Sequence, residues 1–382
     1  MEVYVDNNAT TKVDEDVLNV MLPYLKENFA NPSSLYEAGK QTRKAINEAR
    51  NSVAKMLNAE DKEIIFTSSA TESNVTAIMS AARNSNGKKR IITSKMEHAS
   101  ILETMNYLET QGFDIIYLDV DDKGRINIKD LEKAINKDTF LIAIMLANNE
   151  LGNIYPIKEF CEIAHKHNIL FHCDCTQAVG KIKVDVKDLG VDTLSFSGHK
   201  IHAPKGVAAL YIKEGTPYTP LIFGHQENNH RGGTENVPYI VGLGKAAEKI
   251  VEDNFQSTAK VKELRDYFEE QIKSKIDNIH IYGDIDNRIP NTSNIAFLNA
   301  NGNELAIILE ASNINLSNGS ACNTTEPKPS DVLVACQANL KEYYPIRVSF
   351  DTNNTKEQVD YFINKLTLNV NMLRRKNNGN SN

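Results

Sequence analysis

The chain has no tryptophan and only five cysteines among its 382 residues. The cysteines are odd in number and lie far apart, at Cys161, Cys173, Cys175, Cys322 and Cys336. Disulfide frameworks are typical of small secreted domains, whereas a chain of this length can build a sufficient hydrophobic core. We therefore expect free thiols, and one of them is a candidate for a working nucleophile.

The sequence also lacks an excess of positive charge and a long apolar run. Its formal net charge of −7 gives no sign of a nucleic-acid surface. The longest apolar run, FLIAIMLA from Phe140, is too short to cross a bilayer, and the residues MEVYVDNNATT lack the basic and apolar regions of a secretion signal. We expect a cytoplasmic protein without nucleic-acid or membrane partners.

From about residue 60 onward, short β-rich runs alternate with helical stretches. KEIIFTS precedes ESNVTAIMSAARN, KRIITSK precedes HASILETMNYLETQ, and TFLIAIMLAN precedes IKEFCEIAHKHN. This alternation predicts an α/β fold with a mainly parallel, doubly wound sheet that binds its ligand at the carboxyl ends of the strands. A long helical pattern at 240–276 is expected to join this part to a second domain with its own strands.

Polar residues at the predicted strand ends form a candidate site. Lys200 follows the strand DTLSFSG, where its ammonium can be partly desolvated, and Asp174 ends the strand ILFHCD. Ser68, Ser69 and Thr71 lie between a strand and a helix, where free N–H groups and the helix dipole favour an anion. Alone, Lys200 reads as an exposed loop lysine and Asp174 as a cap or turn residue, but the pair carries more weight than either member.

These groups are the ones that pyridoxal phosphate needs. The cofactor requires a lysine for a Schiff base, an acid beside the pyridine nitrogen, donors for the phosphate and an arginine for the substrate carboxylate. Ser197 and His199 add further donors next to Lys200. The sequence therefore predicts a cofactor site at the end of the sheet.

The motifs that contain these residues resemble those of a known family. They are DNNATT, TSSATESN, EHAS, NNELG, DCTQAVGK, SFSGHK, RGGTEN, GSAC and IRVS, which follow one another over nearly the whole chain. The set resembles the cysteine desulfurases of the NifS/IscS type, which are fold-type-I pyridoxal 5'-phosphate enzymes of the class-V aminotransferase family.

The resemblance implies a role for each matching residue. Lys200 looks like the Schiff-base lysine, Asp174 like the partner of the pyridine nitrogen, and Gln177 like a donor to the phenolic oxygen of the ring. His98 looks like an imidazole that stacks on the ring and takes part in acid–base steps. The remaining implied contacts are Ser69, Ala70, Thr71, Ser197 and His199 around the phosphate, Thr234 reaching the phosphate of the other subunit in a homodimer, and Asn149 and Arg347 at the substrate carboxylate, with Asn149 also touching the cofactor.

The resemblance also implies a reaction and a domain organisation. Cys322 looks like the nucleophile that takes the sulfur of L-cysteine as a persulfide, leaves L-alanine, and passes the sulfur to an acceptor such as an iron–sulfur scaffold protein or a thiolation enzyme. A selenocysteine lyase or another β-eliminating enzyme on the same scaffold is the alternative. The expected division is a large cofactor domain at 13–255, a small α+β domain at 1–12 and 256–370 that carries the Cys322 loop, and a flexible tail at 371–382.

The stretch HKHNILFHCDC offers a rival interpretation, a metal site. Along a strand, His172 and Asp174 share one face while Cys173 and Cys175 share the other, and neither set has the spacing of zinc ligands. We therefore predict no metal site and interpret the two cysteines as core residues. Several positions depart from the family pattern. Ser69, Ala203 and Asp351 stand where glycine is usual or frequent, and FGHQENNHRGGT lacks one of the usual glycines and an arginine ahead of Arg231.

Overall fold

The computed structural model describes residues 1–317 and 329–379. The strands in this part of the chain are β1 (Val3–Tyr4), β2 (Ile64–Thr67), β3 (Arg90–Ser94), β4 (Asp114–Leu118), β5 (Thr139–Ala143), β6 (Leu170–Asp174), β7 (Thr193–Ser197), β8 (Ala208–Ile212), β9 (Ile279–Tyr282), β10 (Thr292–Leu298), β11 (Ile314–Asn315) and β12 (Tyr343–Ser349). The helices are α1 (Glu15–Lys26), α2 (Glu37–Leu57), α3 (Ala70–Arg83), α4 (Ala99–Thr110), α5 (Ile128–Ala134), α6 (Ile157–Lys166), α7 (Val186–Leu189), α8 (Gln226–Asn229), α9 (Val237–Asp253), α10 (Gln256–Lys275), α11 (Gly302–Glu310), α12 (Asp331–Ala335) and α13 (Lys356–Gly379).

The largest sheet has seven strands in the order β2-β8-β7-β6-β5-β3-β4. Neighbouring strands are parallel except at β8, which is antiparallel to both β2 and β7. The carboxyl ends of the other six strands therefore lie at one edge of the sheet. This arrangement confirms the predicted α/β fold with its mainly parallel sheet.

The burial of the strands explains why their sequences are apolar runs instead of alternating patterns. All residues of β2, β5, β7 and β8 are buried, as expected for a sheet with helices on both faces. Helix α6 contributes one apolar face, since Ile157, Phe160, Cys161 and Ala164 recur at helical spacing and are all buried. Packing of this kind leaves polar residues only at the strand ends, where the candidate site lies.

The second half of the chain builds a separate hydrophobic core. An antiparallel sheet in the order β12-β10-β9 packs with α10, α11 and α13, and its core contains Phe268, Phe297 and Phe362. Val3 and Val5 belong to this second core although they begin the chain, because β1 pairs in parallel with β11. The N-terminal segment therefore runs between the two cores.

Two predicted features differ from the structure. The single helical pattern at 240–276 is two helices, because Asn254 and Phe255 adopt left-handed φ angles of 45° and 62° between α9 and α10. The predicted tail at 371–382 overlaps the last turns of α13, which continues to Gly379. Leu373 is buried, and Arg374 Nε donates to the carbonyl oxygen of Leu298 at 2.8 Å.

Among the described residues, the helices are all too short or too polar to span a lipid bilayer.

Candidate active site

A cavity of about 520 Å³ opens at the carboxyl edge of the large sheet. This volume is in the range of sites for small organic ligands. Most of the residues predicted for the site line the cavity, namely Ser69, Ala70, Thr71, His98, Asn149, Asp174, Gln177, Ser197, His199, Lys200 and Arg347. The structure thus brings together residues from both halves of the chain, and their individual roles stay predictions.

Lys200 lies in the turn that follows β7, with its ammonium directed at the N-terminal segment. Its Nζ donates to the carbonyl oxygens of Asn8 and Ala9, and the distance to the Ala9 oxygen is 2.7 Å. The DNNATT motif, which the sequence analysis noted without assigning it a role, therefore supplies the acceptors that hold this lysine in the cavity.

Asp174 ends β6 and is 5% exposed. Its Oδ1 accepts a hydrogen bond from the backbone N–H of Thr176 at 2.9 Å, and its Oδ2 accepts one from Nδ2 of Asn74 at 2.8 Å. One bond on each oxygen orients the carboxylate and leaves further lone pairs for a ligand. A buried carboxylate is stable only with such partners.

Asn74 is a fully buried residue of α3 that the sequence analysis did not assign a role. Its Nδ2 donates to both Asp174 and the hydroxyl of Ser100, and its Oδ1 accepts from Ser195 and from Nε2 of His172. Burial lowers the pKa of His172 to about 4 although Asp174 opposes this, so the ring is neutral near pH 7 and its proton lies on Nε2. The sequence offered one signal for this role. Asn74 follows Thr71 by three residues, a spacing that places both on the same side of a helix.

His98 is the N-cap residue of α4, and its ring lies on the cavity. Nδ1 accepts a hydrogen bond from the backbone N–H of Ser100 at 3.1 Å and lies 2.9 Å from Oγ of the same serine. Because Nδ1 is an acceptor, a neutral His98 carries its proton on Nε2. Ser100 also accepts from Asn74, so a continuous hydrogen-bond path joins His98 to Asp174.

The predicted anion site is the N-terminus of α3. Ser69 is the N-cap and accepts from the N–H of Glu72 at 3.1 Å. The N–H groups of Ala70 and Thr71 belong to the first turn, so the helix offers them no acceptor and they can bind a phosphate. The Ser69 that departs from the family pattern is thus compatible with an anion site.

His199 lies opposite this helix end. Burial, followed by the nearby cations Lys200 and Lys205, lowers the pKa of His199 to about 4. Its Nδ1 is 3.1 Å from Oγ1 of Thr10. The ring is therefore neutral near pH 7, and Lys205, which also lines the cavity, adds the positive charge that an anion requires.

Thr234 does not line the cavity of its own chain and is exposed. The segment that carries it is held by Arg231, whose Nε donates to Oε1 of Glu72 at 2.8 Å. Although burial raises the pKa of Glu72, the bonds from Arg231 and Ser68 lower it below its ordinary value. The segment is thus tied to the N-terminus of α3 through Arg231.

Arg347 reaches the cavity from β12, in the second sheet. Its Nη2 donates to Oδ1 of Asp6 at 2.6 Å and its Nη1 to the carbonyl oxygen of Asn149 at 3.1 Å. Its Nε is buried and has no hydrogen-bond partner within 1–317 and 329–379. The guanidinium is therefore held in a defined orientation and keeps donors for a carboxylate. Sequence analysis did not anticipate Asp6 as its partner.

Two further predictions from the sequence are the nucleophile Cys322 and the absence of a metal site. Cys322, the predicted nucleophile, lies outside the described residues. For the metal interpretation, no cluster of three or more histidine, cysteine, aspartate or glutamate residues suited to a metal occurs in the described ranges. Cys173 and Cys175 are fully buried, with their Sγ atoms 3.5 Å apart.

Comparisons with known proteins agree with this geometry. The family model described as aminotransferase class-V matches residues 3–362. Curated relatives include the cysteine desulfurase IscS of Dictyoglomus turgidum, 45% identical over 98% of this chain and 95% of the relative, and NifS of Azotobacter vinelandii, 41% identical over 96% and 92%. Among solved structures, a NifS-like protein matches with a TM-score of 0.92 at 38% identity over 97% of this chain and 100% of the other. A structure titled SspA in complex with cysteine matches with a TM-score of 0.80 at 37% identity, over 91% of this chain and 99% of the other.

Proposed function

The chain belongs to the class-V aminotransferase family, whose members depend on pyridoxal phosphate, and we propose that it is a cysteine desulfurase. It would convert L-cysteine to L-alanine and pass the sulfur to an acceptor protein for iron–sulfur cluster assembly or thiolation. The observation that supports the proposal is that Lys200, Asp174 and Arg347 line the same cavity. These supply an amine, an acid and a carboxylate-binding cation within a single site.

Pyridoxal phosphate fits the residues that are present. The hydroxyl Oγ1 of Thr176 lies at the cavity, is buried, and has no hydrogen-bond partner in the described part of the chain. A buried polar atom of this kind is expected where a bound molecule supplies the partner. Asp174 would hold the pyridine nitrogen, Gln177 the phenolic oxygen, and the first turn of α3 the phosphate.

When bound, the cofactor supplies a protonated ring that accepts the electrons of the substrate Cα–H bond. Asp174 holds the proton on the ring nitrogen, since each of its oxygens already accepts one bond that fixes its orientation. Lys200 would hold the cofactor, and its Nζ would move the proton at the substrate Cα. His98 presents Nε2–H to the cavity as a second proton donor.

Arg347 and Asn149 position the substrate. The guanidinium of Arg347 binds the substrate carboxylate through its Nε and the remaining Nη hydrogens, while Asp6 holds its far side. This contact would fix the orientation of the amino acid in the cavity. Positioning of this kind supplies a large part of the rate in such enzymes.

Cys322 is the proposed acceptor of the sulfur. Its thiolate forms an S–S bond to the substrate sulfur while the substrate Cβ–S bond breaks and a proton is returned to carbon. One L-cysteine and one thiol thus give one L-alanine and one enzyme persulfide, so atoms and electrons balance.

The assembly is proposed to be a cytoplasmic homodimer. Thr234 is exposed and lies away from its own cavity, which supports a contribution to the cofactor phosphate of the partner subunit. A large domain at 13–255 and a small domain at 1–12 and 256–370 are proposed, and the second core supports the small domain because its buried residues come from both of these ranges, although Cys336 packs in the first core. The small domain would carry the Cys322 loop.

The proposal is tested with the purified protein, pyridoxal phosphate, L-cysteine and a reductant. We expect a visible absorption band, with alanine and sulfide released in equal amounts. Lys200→Ala should lose the band, and Cys322→Ala should keep it while losing sulfide release from cysteine. Cys336→Ala, which changes a buried cysteine of the first core, is the matched control and should retain activity.

Two results would count against the proposal. A protein that neither binds the cofactor nor absorbs in the visible range would remove its basis. Activity of Cys322→Ala on selenocysteine, with none on cysteine, would favour the selenocysteine lyase instead.

A further inference from the structure

Lys181 is a half-buried cation that the proposed function does not use. It stands four residues after Gln177 in the helical turns that follow β6, directly after Gly180, whose φ of 78° suits only glycine well. Lys181 does not line the cofactor cavity. It lines a second cavity of about 280 Å³ on the other side of Lys200.

Its ammonium makes two hydrogen bonds toward the cofactor site. Nζ donates to Oε1 of Gln177 at 2.5 Å and to Oδ1 of Asn8 at 2.9 Å. An amide group has an acceptor end and a donor end, whereas an ammonium only donates. Lys181 therefore binds the oxygen end of both amides and determines which way each amide faces.

For Gln177, this orientation turns the donor end away from Lys181. Nε2 donates one hydrogen to the carbonyl oxygen of Asn8 at 2.9 Å. Its second hydrogen remains for a ligand, because Gln177 lines the cofactor cavity. Without a donor at Oε1, the amide could rotate and present its oxygen to the cavity, where it would repel a phenolate.

For Asn8, the same contact extends to Lys200. The Asn8 side chain also accepts from Asn291 at 3.0 Å and donates to Thr292 Oγ1 at 2.8 Å. With its side chain held on three sides, the Asn8 backbone carbonyl accepts from both Gln177 and Lys200. Lys181 therefore binds the side-chain oxygen of Asn8, and Lys200 binds the backbone carbonyl oxygen of the same residue.

Burial and two nearby cations lower the pKa of Lys181. Burial, followed by the cations Lys200 and Arg347, lowers the pKa of Lys181 well below its ordinary value, and Asp351 opposes this. These are the charged groups that face it from the β7 turn, from β12 and from the segment after β12.

We propose that Lys181 is a positioning residue that directs the donor end of Gln177 onto the phenolic oxygen of the cofactor and braces Asn8 behind Lys200. The proposal rests on the proposed function, since it requires pyridoxal phosphate at Lys200. A hydrogen bond to the phenolic oxygen stabilises its anionic form most when the adjacent nitrogen has lost its proton. Lys181 therefore lowers the pH at which that nitrogen deprotonates, because it directs the donor end of Gln177 toward the phenolic oxygen.

The test is a pH titration of the visible absorption of the purified holoenzyme. Loss of a hydrogen bond to a charged group is worth about 1.5–3 kcal/mol, so Lys181→Met should move the titration midpoint upward by about one pH unit or more. The apparent dissociation constant for pyridoxal phosphate should rise in the same variant. Lys183→Met is the matched control, because Lys183 is exposed and lies 3.9 Å from Asp185, and it should leave the midpoint unchanged.

Further variants separate positioning from a merely structural role. Lys181→Arg keeps a charged donor and should restore part of the shift. In a Gln177→Leu background, Lys181→Met should add less than it does alone, since the two residues act as a unit. If Lys181→Met does not accumulate in folded form, Lys181→Gln carries the same titration.

The outcomes distinguish the two proposals. A wild-type protein without a titratable visible band would contradict the proposed function itself. If the wild type shows the band but Lys181→Met has the same titration midpoint, only the role of Lys181 is overturned. The same holds if Lys181→Met shifts the midpoint equally in the wild-type and Gln177→Leu backgrounds.

Discussion

The side-chain amide of Asn74 donates to Oδ2 of Asp174 across 2.8 Å, from the first turns of α3 to the end of β6. The same amide nitrogen donates to Ser100, whose hydroxyl and backbone N–H both contact Nδ1 of His98. One buried residue therefore orients the acid beside the proposed pyridine nitrogen and, through Ser100, sets the tautomer of the histidine on the cavity. Neither Asn74 nor Ser100 needs to touch the cofactor to do this.

This relationship predicts a double effect of Asn74→Ala. Four hydrogen bonds are lost in a buried place, and unpaired buried groups cost about 1–3 kcal/mol each, so the urea midpoint should fall. Affinity for pyridoxal phosphate should also fall, by about tenfold, if one such bond is transmitted to Asp174. Asn84→Ala, at the other end of α3, removes bonds to Ser80 and Thr219 and should lower stability with unchanged cofactor affinity. Unchanged affinity in Asn74→Ala would contradict the proposed path.

Because of the buried carboxyl group of Glu97, we expect the free energy of unfolding to fall as the pH rises. Burial raises the pKa of this carboxyl to about 8, and Asp174 adds to the rise, whereas Ser94 and the Met145 N–H oppose it. The folded state therefore retains a proton that the unfolded state releases above about pH 4.5, and stability falls by up to about 1.4 kcal/mol per pH unit up to the folded pKa. Glu97→Gln should flatten this slope in urea titrations across that range. Glu103→Gln, on the exposed surface of α4, should not.

The ion pair between His202 and Asp351 is expected to stabilise the folded state only between a lower and an upper pH limit. Nε2 of His202 lies 3.1 Å from Oδ1 of Asp351 and links the Lys200 turn to the segment after β12. Although burial opposes both charges, the pair raises the pKa of His202 and lowers that of Asp351. The contribution is lost as pH rises through the folded His202 pKa and as pH falls through the folded Asp351 pKa, so it is greatest from about pH 4 to 6.5.

The matching measurement compares the unfolding free energy of Asp351→Asn with that of the wild type at several pH values. The difference should be largest inside that window and should shrink as the pH rises through the raised folded pKa of His202. In a His202→Gln background, Asp351→Asn should show no such pH dependence. A difference that stays constant with pH would exclude the ion pair as its source.

The buried pair Arg50–Glu227 predicts a large cost when only one partner is removed. The guanidinium nitrogens donate to both carboxylate oxygens at 2.8 Å, and Glu227 also accepts from the Phe66 N–H at 2.9 Å. Arg50→Met leaves a buried carboxylate without its cation and should destabilise the protein by about 3–5 kcal/mol. Adding Glu227→Gln should recover part of the loss, and an additive double variant would contradict this account. Urea denaturation measures all three.

The strands and the polar residues that follow them were predictable because each depends on a few neighbouring residues. KEIIFTS, ILFHCD and DTLSFSG became β2, β6 and β7, since short apolar runs between turn residues favour buried strands. The division between α9 and α10 was not predictable in this way. Asn254 and Phe255 carry left-handed φ angles without glycine or proline to indicate a break.

The residues that support the site were also missed for a physical reason. Asn74, Asp6 and Lys181 are ordinary polar residues whose importance comes only from their partners. Arg347 pairs with Asp6 across 341 positions, and Lys181 reaches Asn8 across 173. Nothing in the local pattern of either partner indicates the other.

The sequence by itself determined the class of fold and identified Lys200, Asp174 and Arg347 as candidates for the site, because these follow from local periodicity and from motifs in order. Only the tertiary structure decided how those groups are oriented. Hydrogen bonds from Asn74, Lys181 and the Asn8 carbonyl depend on distances of about 3 Å between segments far apart in the chain, and such distances exist only after both cores have packed.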